Sequence, residues 1–228
     1  MSAMTAEEIE AVLTEAEEQI AESRYPNLRA LGFWRAVAAV KQEPELVDRF
    51  ADRIGAIDQT MFRTWAPVTI PMWLGTSLAA LITVVGLVLI GMAYPTGAFI
   101  GALFFLAGTV VLLISTHGLG HLAVGRSFGM RFTVWFIGYG RPQPGVKTDY
   151  ASYLRTPARK RAWMHASGAV VTKVVPFLLL PSAFIAGIAD WAIVVLVIVG
   201  IGQIITDLVW STKSSDWAKF RREMKYAK

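Results

Sequence analysis

The stretch LGTSLAALITVVGLVLIGMA (Leu74–Ala93), the turn Tyr94-Pro95-Thr96-Gly97, and the run that follows from Ala98 to Ser115 decide the fold class. Neither run carries a charge. Each approaches the roughly 20 mostly apolar residues needed to cross a hydrocarbon core of about 30 Å. Joined by so short a turn, they read as a transmembrane hairpin. A second pair follows, Gly168–Ile188 and Ala192–Ile205, hinged around Ala189, Asp190 and Trp191. The expected fold is therefore an all-α membrane protein with four transmembrane helices in two hairpins, over about 72–93, 98–121, 166–188 and 191–209.

Composition agrees. Of 228 residues, 54% are hydrophobic, against 45–50% in an ordinary soluble domain, and the mean hydropathy is +0.48. The net charge of +5 comes from 22 Lys and Arg against 17 Asp and Glu. Seven of the basic residues precede the first span, eight lie between spans two and three, six follow span four, and Lys173 sits inside span three. Both hairpin turns lack them. The positive-inside rule then places both termini and the central loop in the cytoplasm, in the plasma membrane if the cell is prokaryotic. Positive charge scattered along membrane flanks argues for a lipid bilayer partner and against nucleic acid. With no cysteine, disulfides and thiolate ligands are excluded. The acidic first twenty residues lack the apolar core of a signal peptide.

Residues 1–66 read as a cytoplasmic helical domain. Thr5 and Glu8 have capping-box spacing ahead of an apolar stripe formed by Ile9, Val12, Leu13, Ala16 and Ile20. A second helix is expected over Leu28–Lys41 and a third from Pro44, with Leu46, Val47, Phe50, Ile54, Ile57 and Met61 at helical spacing. These stripes are expected to pack on one another. In the loop 129–163, Arg131–Tyr139 reads as a strand or short β-hairpin, able in principle to pair with an extended peptide, and Gly140–Gly145 reads as a turn. Residues 213–228 form a basic cytoplasmic tail.

Chemistry concentrates near the end of span two. His117 and His121 are two of only three histidines. One helical turn apart, their imidazoles share a face and can bind one cation. Catalytic zinc takes three protein ligands, and the candidates for the third are Asp207, His165 and Asp149. Asp207 is the best placed, because about 16 residues down span four it reaches a depth of roughly 24 Å, similar to that of His117. Its alternative is an ion pair with a basic residue such as Lys213. Lys173 is expected to snorkel to the interface, or else to project into the site. Pro176 and Pro181 are expected to kink span three.

The segment Thr116-His-Gly-Leu-Gly-His-Leu-Ala-Val-Gly125 resembles the site-2 protease family of intramembrane zinc metallopeptidases (M50-like), whose signature is His-Glu-x-x-His. His117 and His121 match its two histidine ligands. Ser167–Thr172 stands where the family has Ala-Gly-Pro-x-x-Asn, and Asp207 where it has its aspartate ligand. The resemblance covers roughly residues 98–212. It implies bound Zn2+ held by His117, His121 and Asp207, with transmembrane proteins as substrates or partners. The departures matter as much. Gly118 occupies the position of the general-base glutamate, Thr172 that of the substrate-orienting Asn, Ala169 that of Pro, and Val209 that of a glycine. A positioned base typically contributes 10²–10⁴-fold, so the resemblance implies a metallopeptidase fold with impaired or lost proteolysis, a pseudoenzyme, and no confident catalytic residue. The rival reading is a non-enzymatic membrane scaffold or regulator acting through its cytoplasmic helices and groove. Bis-histidine haem ligation is disfavoured, because residues four apart on one helix cannot take opposite axial positions. Three histidines are also too few for a desaturase-type di-iron cluster.

Overall fold

The computed structural model describes residues 4–23, 26–138, 141–209 and 215–227. Among them the chain forms nine helices and three strands, divided between two compact units. One unit gathers residues 1–72, 125–161 and 224–228; the other comprises 73–124 and 162–223.

In the first unit, α1 (Ala6–Glu22) opens on the expected capping box: the Glu8 amide donates to Thr5 Oγ1 at 3.2 Å, and the Thr5 amide donates to Glu8 Oε2 at 2.9 Å. α2 is shorter than expected, Phe33–Val40, because residues 28–32 form turns and Gly32 supplies a positive φ of 79° at its N-cap. α3 (Pro44–Trp65) begins at the expected proline, whose missing N–H costs nothing in the first turn. The apolar stripes pack on one another: Ile9 and Leu13 of α1, Phe33 and Val40 of α2, and Phe50 and Ile54 of α3 are all buried. A short helix, α6 (Tyr150–Arg155), lies on α3, where Gly55 lets Ala151 approach so closely that an added Cβ would stand 3.1 Å from it. Arg155 grips Asp52 through two hydrogen bonds of 3.0 and 2.6 Å.

This unit also holds a sheet in the order β1-β2-β3, all antiparallel: β1 (Val68–Pro71), β2 (Phe132–Gly138) and β3 (Arg141–Thr148). The hairpin-like loop is thus extended by a strand from just before the first span. Of the expected turn over 140–145, residues 141–145 are strand, and Gly140 lies outside the described residues. Pro144, opposite Ile137, is tolerated because β3 is an edge strand. Opposite Phe136 stands Gly145, where a Cβ would meet the ring at 2.7 Å, so the aromatic ring fills the glycine's place. Phe136 also packs edge-on against Phe62, with centroids 4.9 Å apart.

The second unit contains four helices long and apolar enough to cross a membrane: α4 (Met72–Met92), α5 (Ala98–Ser127), α7 (Ala158–Ile185) and α8 (Asp190–Val209, apolar to Asp207). α5 and α7 extend beyond the apolar runs as helix, so the His117/His121 pair lies within α5 rather than at its end. Both prolines lie inside α7, which continues through them. Small residues bring the helices together, as is usual where lipid removes the hydrophobic drive for helix association. A Cβ on Gly108 of α5 would stand 2.6 Å from the Gly86 carbonyl of α4, and one on Gly200 of α8 would stand 2.6 Å from the Phe177 ring of α7. The core between helices includes Ile90, Phe105, Leu112, Ala183 and Leu196. Thr83 donates to Ser115 at 2.9 Å across α4 and α5. Outward faces carry Leu81, Leu87, Val88, Leu178 and Ile198, all exposed, as a lipid-facing surface requires. The ninth helix, α9 (Asp216–Met224), follows α8.

In the first unit Lys147 pairs with Asp58, the two side chains being 13% and 15% exposed. Burial pushes the Asp58 carboxyl above its ordinary range against the pull of the Lys147 ammonium. Removing one partner strands the other charge. Lys147→Met is therefore expected to cost about 3 kcal/mol in denaturant unfolding, and Asp58→Leu with Lys147→Met to recover most of it.

Candidate metal centre

Three donor atoms converge inside the second unit: Nε2 of His117, Nε2 of His121 and Oδ2 of Asp216. The two nitrogens are 3.3 Å apart, and each is 3.2 Å from the carboxylate oxygen. The triangle is nearly equilateral. Ligand atoms about 2.0–2.1 Å from a tetrahedral zinc ion stand about 3.3 Å from one another, so these edges match one face of such a site.

The local structure that builds it begins with helical spacing on α5, which puts both rings on one face. Their planes lie at 89° to each other. α7 then fixes His121. Its Nδ1–H donates to the Met164 carbonyl at 2.7 Å, and Ser167 Oγ donates to the same carbonyl at 2.7 Å. The approach depends on Gly168, where a Cβ would lie 2.4 Å from His121 Nε2, and on Gly120 of α5, where one would lie 3.1 Å from Val171 and 3.3 Å from the Ser167 carbonyl.

Tautomer follows from this geometry. A carbonyl can only accept, so Nδ1 of His121 carries the proton. A neutral ring therefore turns its Nε2 lone pair toward Asp216 Oδ2, itself an acceptor. Two lone pairs at 3.2 Å repel unless positive charge lies between them, either a second proton on the ring or a cation shared by the triangle. Asp216 is a ready anion. Burial alone would raise its carboxyl, but where the facing His117 and His121 rings carry Nε2 protons, their hydrogen bonds, with the Lys219 charge nearby, hold it well below the usual carboxylate range. Asp216 is 14% exposed and His121 13%, whereas His117 is 39% exposed, so the triangle is covered on one side and reachable on the other.

The carboxylate beside the histidines is thus Asp216, and the structure does not bring Asp207 to them. Asp207 pairs instead with Lys173 of α7, whose Nζ also donates to the Ala169 carbonyl at 3.2 Å. Depth along α8 placed Asp207 at a suitable level, but the helix turns it toward a lysine on the neighbouring span. Lys213, the other suggested partner, lies outside the described residues. Asp149 caps α6, accepting from the Ser152 amide at 2.7 Å, and belongs to the first unit. His165 is not among the three converging donors. Thr172 donates to the carbonyls of Gly168 and Ala169 within its own helix. Gly118 is buried and offers no side-chain donor or acceptor.

Asp216 was missed because the segment after span four reads as basic. A signal was present: Asp216, Lys219 and Glu223 recur at helical spacing, and an acidic residue opens the helix, where the backbone N–H groups favour negative charge.

Comparisons with protein-family models, curated proteins and solved structures return no match.

Gly168→Ala is expected to push His121 off the Met164 carbonyl and to weaken any zinc binding at the triangle about 10–100-fold, the usual cost of disturbing a ligand's support. Competition with a chromogenic chelator on the purified protein reads this directly, and unchanged affinity would contradict the packing argument.

Proposed function

We propose that this chain is a zinc-binding integral membrane protein of the site-2-protease type, with peptidase activity impaired or lost. One observation carries the metal reading: two imidazole nitrogens and a carboxylate oxygen form a triangle of 3.2–3.3 Å edges, with one imidazole locked in the tautomer that presents its lone pair. His117, His121 and Asp216 would hold the ion, which when bound supplies Lewis acidity and a fixed positive charge.

Support for the peptidase ancestry is the likeness of His117-x-x-x-His121 and of Ser167–Thr172 to that family's motifs. Gly118 argues for lost hydrolysis, since no side chain follows His117 to take a proton. The third donor also departs from the family order, coming from α9 rather than from span four. The basic residues flanking the spans support an orientation with both ends of the chain and the loop between spans two and three in the cytoplasm. If any cleavage persists, its substrates would be transmembrane segments.

A second reading, a membrane scaffold, is favoured by Asp216 itself. A ligand delivered by the helix after the last span makes the ion a clasp that holds α9 against α5.

Elemental analysis of protein purified in mild detergent is expected to find one zinc per chain, lost in His117→Ala and in Asp216→Ala. Full loading of His117→Ala would sink the site. Gly118→Glu separates the two readings: new cleavage of a helical transmembrane reporter supports the peptidase ancestry. No cleavage, with a lowered melting temperature on zinc removal, supports the clasp.

A further inference from the structure

α9 has two faces of different chemistry. At about 100° per residue, Asp216, Lys219, Phe220 and Glu223 share one side of the helix, while Arg221 and Arg222 fall on the other. The first side is turned inward: Glu223 is 2% exposed, and the Asp216 side chain 14%. Arg221 and Arg222 are exposed, and Lys225, just past the helix end at Met224, is exposed as well. The outer side of α9 carries no acidic residue.

The position of this helix relative to a bilayer follows from chain length. Asp216 comes seven residues after Val209, the last residue of α8, and seven residues reach at most about 25 Å when fully extended. Aromatic residues mark the level more closely. Phe220 packs edge-on against Trp163 of α7, with centroids 5.3 Å apart, and against Trp217 at 5.4 Å. Trp163 is 46% exposed at the point where α7 passes from charged to apolar sequence. Half-exposed tryptophans at such transitions sit at headgroup depth.

We propose that the outer face of α9 is a docking surface for anionic phospholipid headgroups, and that this docking strengthens cation binding at the His117–His121–Asp216 triangle. The coupling rests on the metal reading above. A cation among the three donors holds α9 through Asp216, and headgroups hold it through Arg221 and Arg222. Because both grips order the same helix, each favours the other, and linkage makes the effect reciprocal. Salt screens the headgroup contacts and so weakens the coupling, while the covered Asp216 contact is screened less.

The full chain in nanodiscs tests this. With no native cysteine, Ala227→Cys carries one environment-sensitive fluorophore that reports on α9. Nanodiscs of phosphatidylcholine alone are compared with nanodiscs in which about a third is phosphatidylglycerol, and zinc affinity is measured in each by chelator competition. The expected result is a label shift with phosphatidylglycerol that high salt reverses, and zinc affinity about tenfold tighter in the anionic bilayer. Both effects should be lost in Arg221→Gln/Arg222→Gln/Lys225→Gln, checked for an unchanged melting curve. A label that ignores phosphatidylglycerol, an equal shift in the triple variant, or the same shift from inorganic phosphate in neutral nanodiscs overturns the docking surface. A normal label shift with equal zinc affinity in both bilayers overturns the coupling. Zinc absent from both bilayers, with the label shift intact, overturns the metal reading while supporting the lipid surface.

Discussion

His121 spends its only neutral-state proton on the Met164 carbonyl, and that single commitment dictates what the rest of the site must contain. The Nε2 lone pair then faces a carboxylate oxygen and a second imidazole nitrogen, all within hydrogen-bonding distance of one another. His121 Nε2 and Asp216 Oδ2 are both acceptors there, and two acceptors held this close in a partly covered position need positive charge between them. Protons on the rings can supply it, and so can a divalent cation. The second suits the near-equal edges of the triangle, because one ion satisfies all three atoms at once.

That geometry depends in turn on how closely two membrane helices approach. Side chains larger than hydrogen at Gly120 or Gly168 would hold α5 and α7 apart, and His121 would lose the carbonyl that orients it. Lipid offers no hydrophobic reason for helices to associate, so close backbone approach and interhelical hydrogen bonds carry the packing. The same rule recurs where Gly86 meets Gly108 and where Gly200 receives Phe177. Glycine in this chain serves contact between helices more than flexibility. The charged pair of Lys173 and Asp207 follows a related logic: two ionisable groups on adjacent spans are tolerable because each neutralises the other.

α9 joins two environments in nine residues. Its inward face carries the Asp216 carboxylate beside the histidines, and its outward side carries the exposed Arg221 and Arg222. A segment that reads simply as a basic tail thus contains the acidic side chain that stands beside the two histidines. The N-terminal helices show the contrasting case, in which local rules suffice. The Thr5–Glu8 capping box, the Pro44 start and the apolar stripes of α1 and α3 appear much as their spacing implies, because each depends on neighbours within a few residues.

Four apolar helices, the helical domain before them, a strand-forming loop and a histidine pair on one helical face could all be read in the chain itself. Each is a matter of local composition or of periodicity at 3.6 residues. Three features depended on folding. β1 became an edge partner of β2, Asp207 turned to Lys173, and Asp216 reached the histidines. Depth along a span can be counted from sequence, but which way a side chain points around the helix axis is set by packing against neighbours. Asp207 on α8 pairs with a lysine while Asp216 on α9 stands beside the histidines, and only the tertiary arrangement decides between them.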